Sequence, residues 1–162
     1  MVDVTMEIET TRDIARQMLR HRSFSFQEFS QRYADASVLG DPFEFSEARL
    51  QDPKNRQNSV STDNLALQAW WETRQQRVID EARNAYEWAI TNGIAKEQAR
   101  AVLPEGLIES RLYMNGTLRS WIHFIELRSA NGTQKEHQEV AVACAEVISK
   151  IFPMAQDLVA KL

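Results

Sequence analysis

Apolar and polar residues alternate at the start of the chain. In VDVTMEIETT, Val2, Val4, Met6 and Ile8 fall on one parity, and a period of two predicts a half-buried β-strand. Thr10 or Thr11 then offers a helix cap, and Ile14, Ala15, Met18 and Leu19 recur at helical spacing, so a helix follows directly. Residues 39–62 hold Gly40, Asp41, Pro42, Pro53 and many Asn, Ser and Asp residues. That is connector chemistry, and a connector of such length in a compact domain usually has a function. A long helix is predicted from a cap at Thr62 or Asp63 to a stop at Asn92-Gly93. Leu67, Trp70, Trp71, Arg74, Val78, Ala82, Ala85 and Ala89 mark its inner side.

A short helix spans Lys96 to Val102 and ends before Pro104. LIESRLYMNG, residues 107–116, reads as a strand. Residues 117–127 and 135–152 read as helices, the second stopped by Pro153, with a turn at Asn131-Gly132 between them. The order is strand, helix, special loop, long helix, strand, helix, helix. It predicts one α/β or α+β domain over residues 1–162, dominated by helix.

Composition narrows the class of protein. With 162 residues, 43% of them hydrophobic and 26% charged, the chain has the profile of an ordinary globular domain. Its formal net charge of −4 argues against a generic nucleic-acid binder. The absence of a leader-like start and of any long apolar run predicts a soluble, intracellular, cytoplasmic protein without a membrane partner. Cys144 is the single cysteine and sits in VAVACAEVI, so neither a disulfide framework nor a multi-cysteine metal site is expected. A buried, unreactive thiol is the plain reading. Trp70, Trp71 and Trp88 are read as core or subunit-interface aromatics. His123 is read as a packed or helix-face histidine, since it has no second ligand at i+4.

The chemistry gathers against this acidic background in RHRSFSFQEFSQRY, residues 20–33, which packs three arginines, a histidine, a glutamate and three serines into fourteen positions. Arginine is suited to planar recognition of phosphate and carboxylate. Ser23, Ser25 and Ser30 add hydroxyl donors. Glu28 is either an ion-pair partner that fixes the arginines or an acceptor for a ligand's donor group. Tyr33, Phe24, Phe26 and Phe29 offer flat surface for a ring to stack on. Residue chemistry alone thus leaves two readings: a site for a phosphorylated, ring-containing ligand, or a solvated basic helix end paired with acidic neighbours.

The run RHRxxSxxExSxRY (Arg20, His21, Arg22, Ser25, Glu28, Ser30, Arg32, Tyr33) resembles the signature of the flavin-dependent thymidylate synthases, the ThyX family. Most members carry Asn before the glutamate, where this chain has Gln27. The upstream VTMEIETTRDIARQMLRHR and the downstream LPEGLIESRLYMNGTLRSWIHFIELR are similar to the family's flanking blocks, so the likeness covers most of residues 4–150. The resemblance implies a ThyX-like fold with a mixed sheet flanked by helices, one of them long. It also implies a homotetramer in which several subunits build each site for FAD and deoxyuridine monophosphate (dUMP). By that likeness Arg20, His21 and Arg22 contact FAD, with Glu28, Arg128, Thr5 and the turn residue Gly132 also on the flavin side. Gln17, Arg20, Glu28, Ser30, Gln31 and Arg32 hold dUMP, with Ser30 and Arg32 at its phosphate. Arg111 reaches the nucleotide from another chain.

The implied reaction is reductive methylation of uracil C5, with methylenetetrahydrofolate as carbon donor and NADPH as reductant of the flavin. It needs no cysteine nucleophile, which suits Cys144. Two positions depart from the family's pattern. Where the family has an arginine ten residues after the flavin-side Leu-Arg, credited with polarising the uracil, this chain has Gln138, a neutral donor. Asn131 and Gly132 stand where many members carry a histidine. The sequence also starts almost at the first strand, which predicts a short form without the family's usual N-terminal Glu-His segment. These departures keep open an alternative: a catalytically weak or altered-specificity homologue that binds FAD and a uridine nucleotide. An RNA-binding module is a third possibility, opposed by the acidic net charge. No metal is expected.

Overall fold

A computed structural model of the chain describes residues 2–32 and 41–153. The alternation at the N-terminus forms strand β1 (Asp3–Thr11), which runs without a loop into helix α1 (Arg12–Met18). Thr11 flanks α1 but does not cap it; its hydroxyl donates to Asp13 instead. The basic stretch leaves α1 through a turn and becomes strand β2 (Ser25–Glu28). The predicted connector is more ordered than its composition suggests. It contains a hairpin of β3 (Arg49–Gln51) and β4 (Ser59–Ser61). Asp52 closes the hairpin by accepting from the backbone N–H groups of Lys54 (2.8 Å) and Asn55 (3.2 Å), the local bonding that suits Asp to turns. Gly40 and Tyr33 lie outside the described residues.

Helix α2 (Leu65–Thr91) is capped by Asn64, whose side chain accepts from the Leu67 N–H, one or two residues beyond the expected Thr62 or Asp63. Its buried side is Gln75, Ile79, Ala82, Tyr86 and Ala89. The inner side expected from Leu67 to Val78 is therefore displaced. Trp70 is 68% exposed, Trp88 62% and Val78 50%. Trp70 and Trp88 are therefore not core of this chain, and the first half of α2 is held at the segment around Ser46. There the Trp71 indole N–H and the Gln75 amide both donate to the Ser46 carbonyl.

Helix α3 (Lys96–Ala99) and a 3₁₀ turn (Arg100–Val102) lead to β5 (Glu109–Thr117), followed at once by α4 (Leu118–Arg128) and then α5 (Lys135–Ile151). Strand β5 is the centre of a three-stranded sheet of order β1-β5-β2. Every pairing among the described strands is antiparallel, where a mixed sheet was expected. An antiparallel sheet tolerates one wet face, and the alternation supplies it. Met6, Ile8 and Thr10 on β1 and Ser110, Leu112, Met114 and Gly116 on β5 turn inward, while Glu7, Glu9, Arg111 and Tyr113 turn outward.

The inward face packs on Ile14 and Met18 of α1, Trp121, Phe124 and Ile125 of α4, and Ala141, Cys144, Ala145 and Ile148 of α5. Cys144 is buried as expected, and burial pushes its thiol pKa up to about 12. Phe24 and Phe26 pack against this same core and are not a free stacking wall. Phe24 lies directly over Gly116, where a Cβ would come within 2.5 Å of its ring. Trp121 meets the Phe24 ring edge-on at 5.0 Å and donates its indole N–H to the Val4 carbonyl at 3.0 Å. No helix among the described residues is long and apolar enough to cross a membrane.

Candidate active site

The aromatic core continues into a polar cluster without a gap. Phe124 packs edge-on against His21 at 5.0 Å and lies 5.8 Å from His137. His21 occupies the turn after α1, where its N–H donates to the Met18 carbonyl at 3.0 Å. Its Nε2 accepts from Arg128 Nε at 2.9 Å, so its proton resides on Nδ1. Arg128 is the last residue of α4, and Gln17 stands on the last turn of α1. The Gln17 amide donates to Gln134 Oε1 at 2.9 Å, and its own oxygen faces His137 Nδ1 at 3.4 Å. The turn between α4 and α5 contains Gly132 at φ +93°, a left-handed conformation in open space. Gln138 donates from Nε2 to the Ala130 carbonyl at 3.0 Å and closes that turn. Gln17, His21, Arg128, Gly132 and Gln138 are thus gathered at one end of α1, α4 and α5. Arg20 and Arg22 stand exposed in the turn on either side of His21.

A second group forms around β2. Glu28 takes the inward parity, opposite Leu112, and its carboxylate accepts from the Ser110 hydroxyl at 2.9 Å. Arg12, nearly buried, lies 3.7 Å from the same oxygen. The glutamate is therefore a fixed, partly desolvated acceptor. Gln31 is 4% exposed and its amide nitrogen has no hydrogen-bond partner among the described residues. Ser30 adjoins it, half-buried, and Arg32 reaches Glu97 of α3 at 3.4 Å. Thr5 and Arg111 join neither group. Both stand on the outward face of the sheet, where Thr5 accepts from Asn115 Nδ2 at 2.7 Å and Arg111 pairs with Glu9 and, at 3.4 Å, with Glu7. Among the described residues no cluster of His, Cys, Asp or Glu could hold a metal ion, and His123 is an exposed residue of α4.

Arg12, Ser110, Gln134 and His137 belong to this region and were missed in the sequence. A weak signal existed for Ser110, a hydroxyl at the apolar parity of β5 between Ile108 and Leu112. Nothing local marks Arg12 or Gln134, and His137 is marked only by its place beside Gln138, from which a helix turns it away. Buried polar atoms are normally satisfied, yet among the described residues Arg12 Nη1, Gln31 Nε2 and His137 Nε2 have no hydrogen-bond partner. With the exposed Arg20 and Arg22 and the open backbone at Gly132, the Arg12 and Gln31 donors make a set that fits an anionic ligand with a flat heteroaromatic ring.

The titrations carry a sign that can be tested. Burial first, then the positive Arg128, lowers both His21 and His137 from 6.5 to about 4. Between those values the unfolded chain binds protons that the folded protein refuses, so stability is complete above pH 6.5 and falls toward pH 4. Glu109 has the opposite sign. Burial, then its hydrogen bond and repulsion with Glu44, raises it from 4.5 to about 7, so its contribution is complete below pH 4.5 and lost as pH rises through 7. Two imidazoles oppose one carboxyl, and the melting temperature is expected to fall as pH drops from 6.5 to 4.5. In Glu109→Gln the fall should steepen; a melting temperature independent of pH across this window contradicts the assignment.

Comparison with known proteins shows the family. The family model described as thymidylate synthase complementing protein matches residues 1–154. A probable flavin-dependent thymidylate synthase of Paramecium bursaria Chlorella virus 1 is 50% identical over 150 residues, covering 93% of this chain and 68% of the relative. The flavin-dependent thymidylate synthase of a Synechocystis strain is 50% identical over 153 residues, covering 94% and 69%. Among solved structures, a UMP/dUMP methylase from Streptomyces cacaoi bound with 5-Br dUMP superposes with a TM-score of 0.80 at 26% identity, covering 99% of this chain and 72% of that one. The chain belongs to the family of flavin-dependent thymidylate synthases.

Proposed function

We propose that the protein methylates C5 of the uracil of dUMP, with a bound flavin, methylenetetrahydrofolate as carbon donor and NADPH as reductant. The observation that carries this reading is the split of residues 20–32 into two pre-set halves. One half holds His21 neutral against Arg128; the other holds Glu28 between Ser110 and Arg12. Family membership and the likeness to a UMP/dUMP methylase support it. The flavin dinucleotide would be held by Arg20, His21, Arg22, Arg128, Gly132 and Glu28 of one subunit and by Thr5 of a neighbour, and when bound it supplies the hydride. Two arginines and a tight turn with an open backbone suit its diphosphate.

Gln17, Arg20, Glu28, Ser30, Gln31 and Arg32 would hold dUMP. The buried Gln31 amide gives a donor that water cannot contest, and Ser30 with Arg32 suits the phosphate. Arg111 and Thr5 face outward, away from both halves, which fits a homotetramer in which Arg111 completes a neighbour's site. We place the whole of residues 1–162 in one catalytic domain of a cytoplasmic enzyme. The thiol of Cys144 is too buried and too high in pKa to act as the nucleophile.

Gln138 stands where the family carries a charge. Replacing it by arginine is expected to raise turnover several-fold, since a cation stabilises a developing uracil anion better than an amide does. A fall in turnover would show that its bond to Ala130 matters more, through the turn it closes. The functional reading itself is tested by purifying the protein and titrating it with FAD. Flavin absorbance should be retained and then bleached anaerobically by NADPH, faster with dUMP present. A protein that takes up no flavin would overturn the reading.

A further inference from the structure

His137 has no role in the assignments above, yet it is the fully buried imidazole of the cluster. The first turn of α5 divides its side chains among three directions. Lys135 and Glu136 reach away to Glu47 and Arg49 of the hairpin segment, while Gln138 turns back to Ala130. Only His137 of these enters the core side, packed on Phe124 and edge-on to His21 at 6.3 Å. An apolar side chain would fill this place at less cost, because a buried polar atom without a partner is destabilising, and His137 Nε2 has none among the described residues. Its other nitrogen does have one. The Gln17 amide nitrogen is committed to Gln134, so the Gln17 oxygen faces His137 Nδ1 at 3.4 Å and can only accept. The proton therefore sits on Nδ1. Burial first, and then Arg128 beside it, favour the neutral form.

We propose that His137 is a positioning residue for the uridine nucleotide: its Nδ1–H fixes the Gln17 side chain, and Gln17 presents the α1 end of the site to the ligand. The proposal rests on the reading of Gln17 as a dUMP contact. It makes the Gln17 amide a two-point clamp, held by Gln134 through its nitrogen and by His137 through its oxygen. Ordering of this side chain before the ligand arrives lowers the entropy cost of binding.

Three variants separate this from mere packing. Asparagine places an N–H donor where Nδ1 stands, glutamine places its amide where Nε2 stands, and leucine fills the space with neither. Each is loaded with FAD, its flavin content and melting temperature are recorded, and dUMP is titrated against the flavin spectrum. Leucine is expected to weaken dUMP on the order of tenfold at unchanged flavin content. Asparagine should recover most of that loss, and glutamine should not. Wild-type dUMP affinity in His137→Leu would overturn the proposal, as would recovery by glutamine and not by asparagine. If leucine fails to fold, the contrast between asparagine and glutamine decides alone, and equal affinity in the two overturns the proposal. Failure of the wild-type holoprotein to bind dUMP would sink the functional reading and this proposal together, whereas wild-type binding with indifferent variants sinks this proposal only.

Discussion

Replacing Arg128 by leucine is expected to weaken flavin binding between about tenfold and a hundredfold, the range for losing a hydrogen bond made by a charged group, about 1.5–3 kcal/mol. Arg128 ends α4 with its Nε directed at His21 Nε2, 2.9 Å away. The bond fixes the ring and its tautomer together, and the guanidinium's charge helps to keep His21 and His137 neutral. Leucine removes both effects and leaves an imidazole acceptor without its donor. Lysine should rescue little, because a flexible ammonium cannot reproduce the planar approach of a guanidinium. Retention of FAD is the measurement. Flavin affinity equal to wild type in Arg128→Leu would remove His21 and Arg128 from the flavin site.

The second large effect is on stability. Trp121→Ala is expected to cost about 3–5 kcal/mol, as for other buried aromatic truncations. Trp121 is fully buried between Phe24 and Phe124 and ties α4 to β1 through the Val4 carbonyl. Its loss opens a cavity beneath the turn that carries His21. At roughly 2–4 °C per kcal/mol for a domain of this size, the melting temperature should fall by about 10 °C. Bound flavin should be lost along with stability, since the Phe24 and Phe124 rings that support His21 both rest on the indole. A melting temperature within about 2 °C of wild type, a shift worth under 1 kcal/mol, would mean that the core does not brace the site in this way.

These effects also explain which parts of the molecule were legible in its sequence. Strand β1 was, because one face meets the core and the other meets water, which forces the alternation of Met6 and Ile8 with Glu7 and Glu9. Strand β5 was less clear, because Ser110 and Gly116 occupy its inward parity, one holding Glu28 and the other making room for Phe24. The inner side of α2 was misplaced because Trp70 and Trp71 look like core, while the helix buries its later stripe at Gln75, Ile79, Ala82 and Tyr86. The hairpin was hidden in the connector because a strand of three residues is too short to show a period.

The site divides in the same way. Residues 20–32 form one contiguous run of distinctive residue types, so the run could be read directly. The partners that give those residues their state could not. Arg12 and Ser110 come from α1 and β5 and Gln134 and His137 from the start of α5, and only the fold brings them to Glu28, Gln17 and His21. Phe24 and Phe26 were misread for a related reason. A phenylalanine next to an arginine in sequence looks available to a ligand, but on β2 and the turn before it both rings face the core.

The most direct test of the account follows the hydrogen at uracil C5. FAD-loaded protein is incubated with NADPH, methylenetetrahydrofolate and dUMP labelled with tritium at C5, and tritium released to water is counted beside the appearance of dTMP. The account predicts release that requires flavin and folate and matches dTMP formed mole for mole. Flavin-loaded protein that binds dUMP and releases no tritium would contradict it.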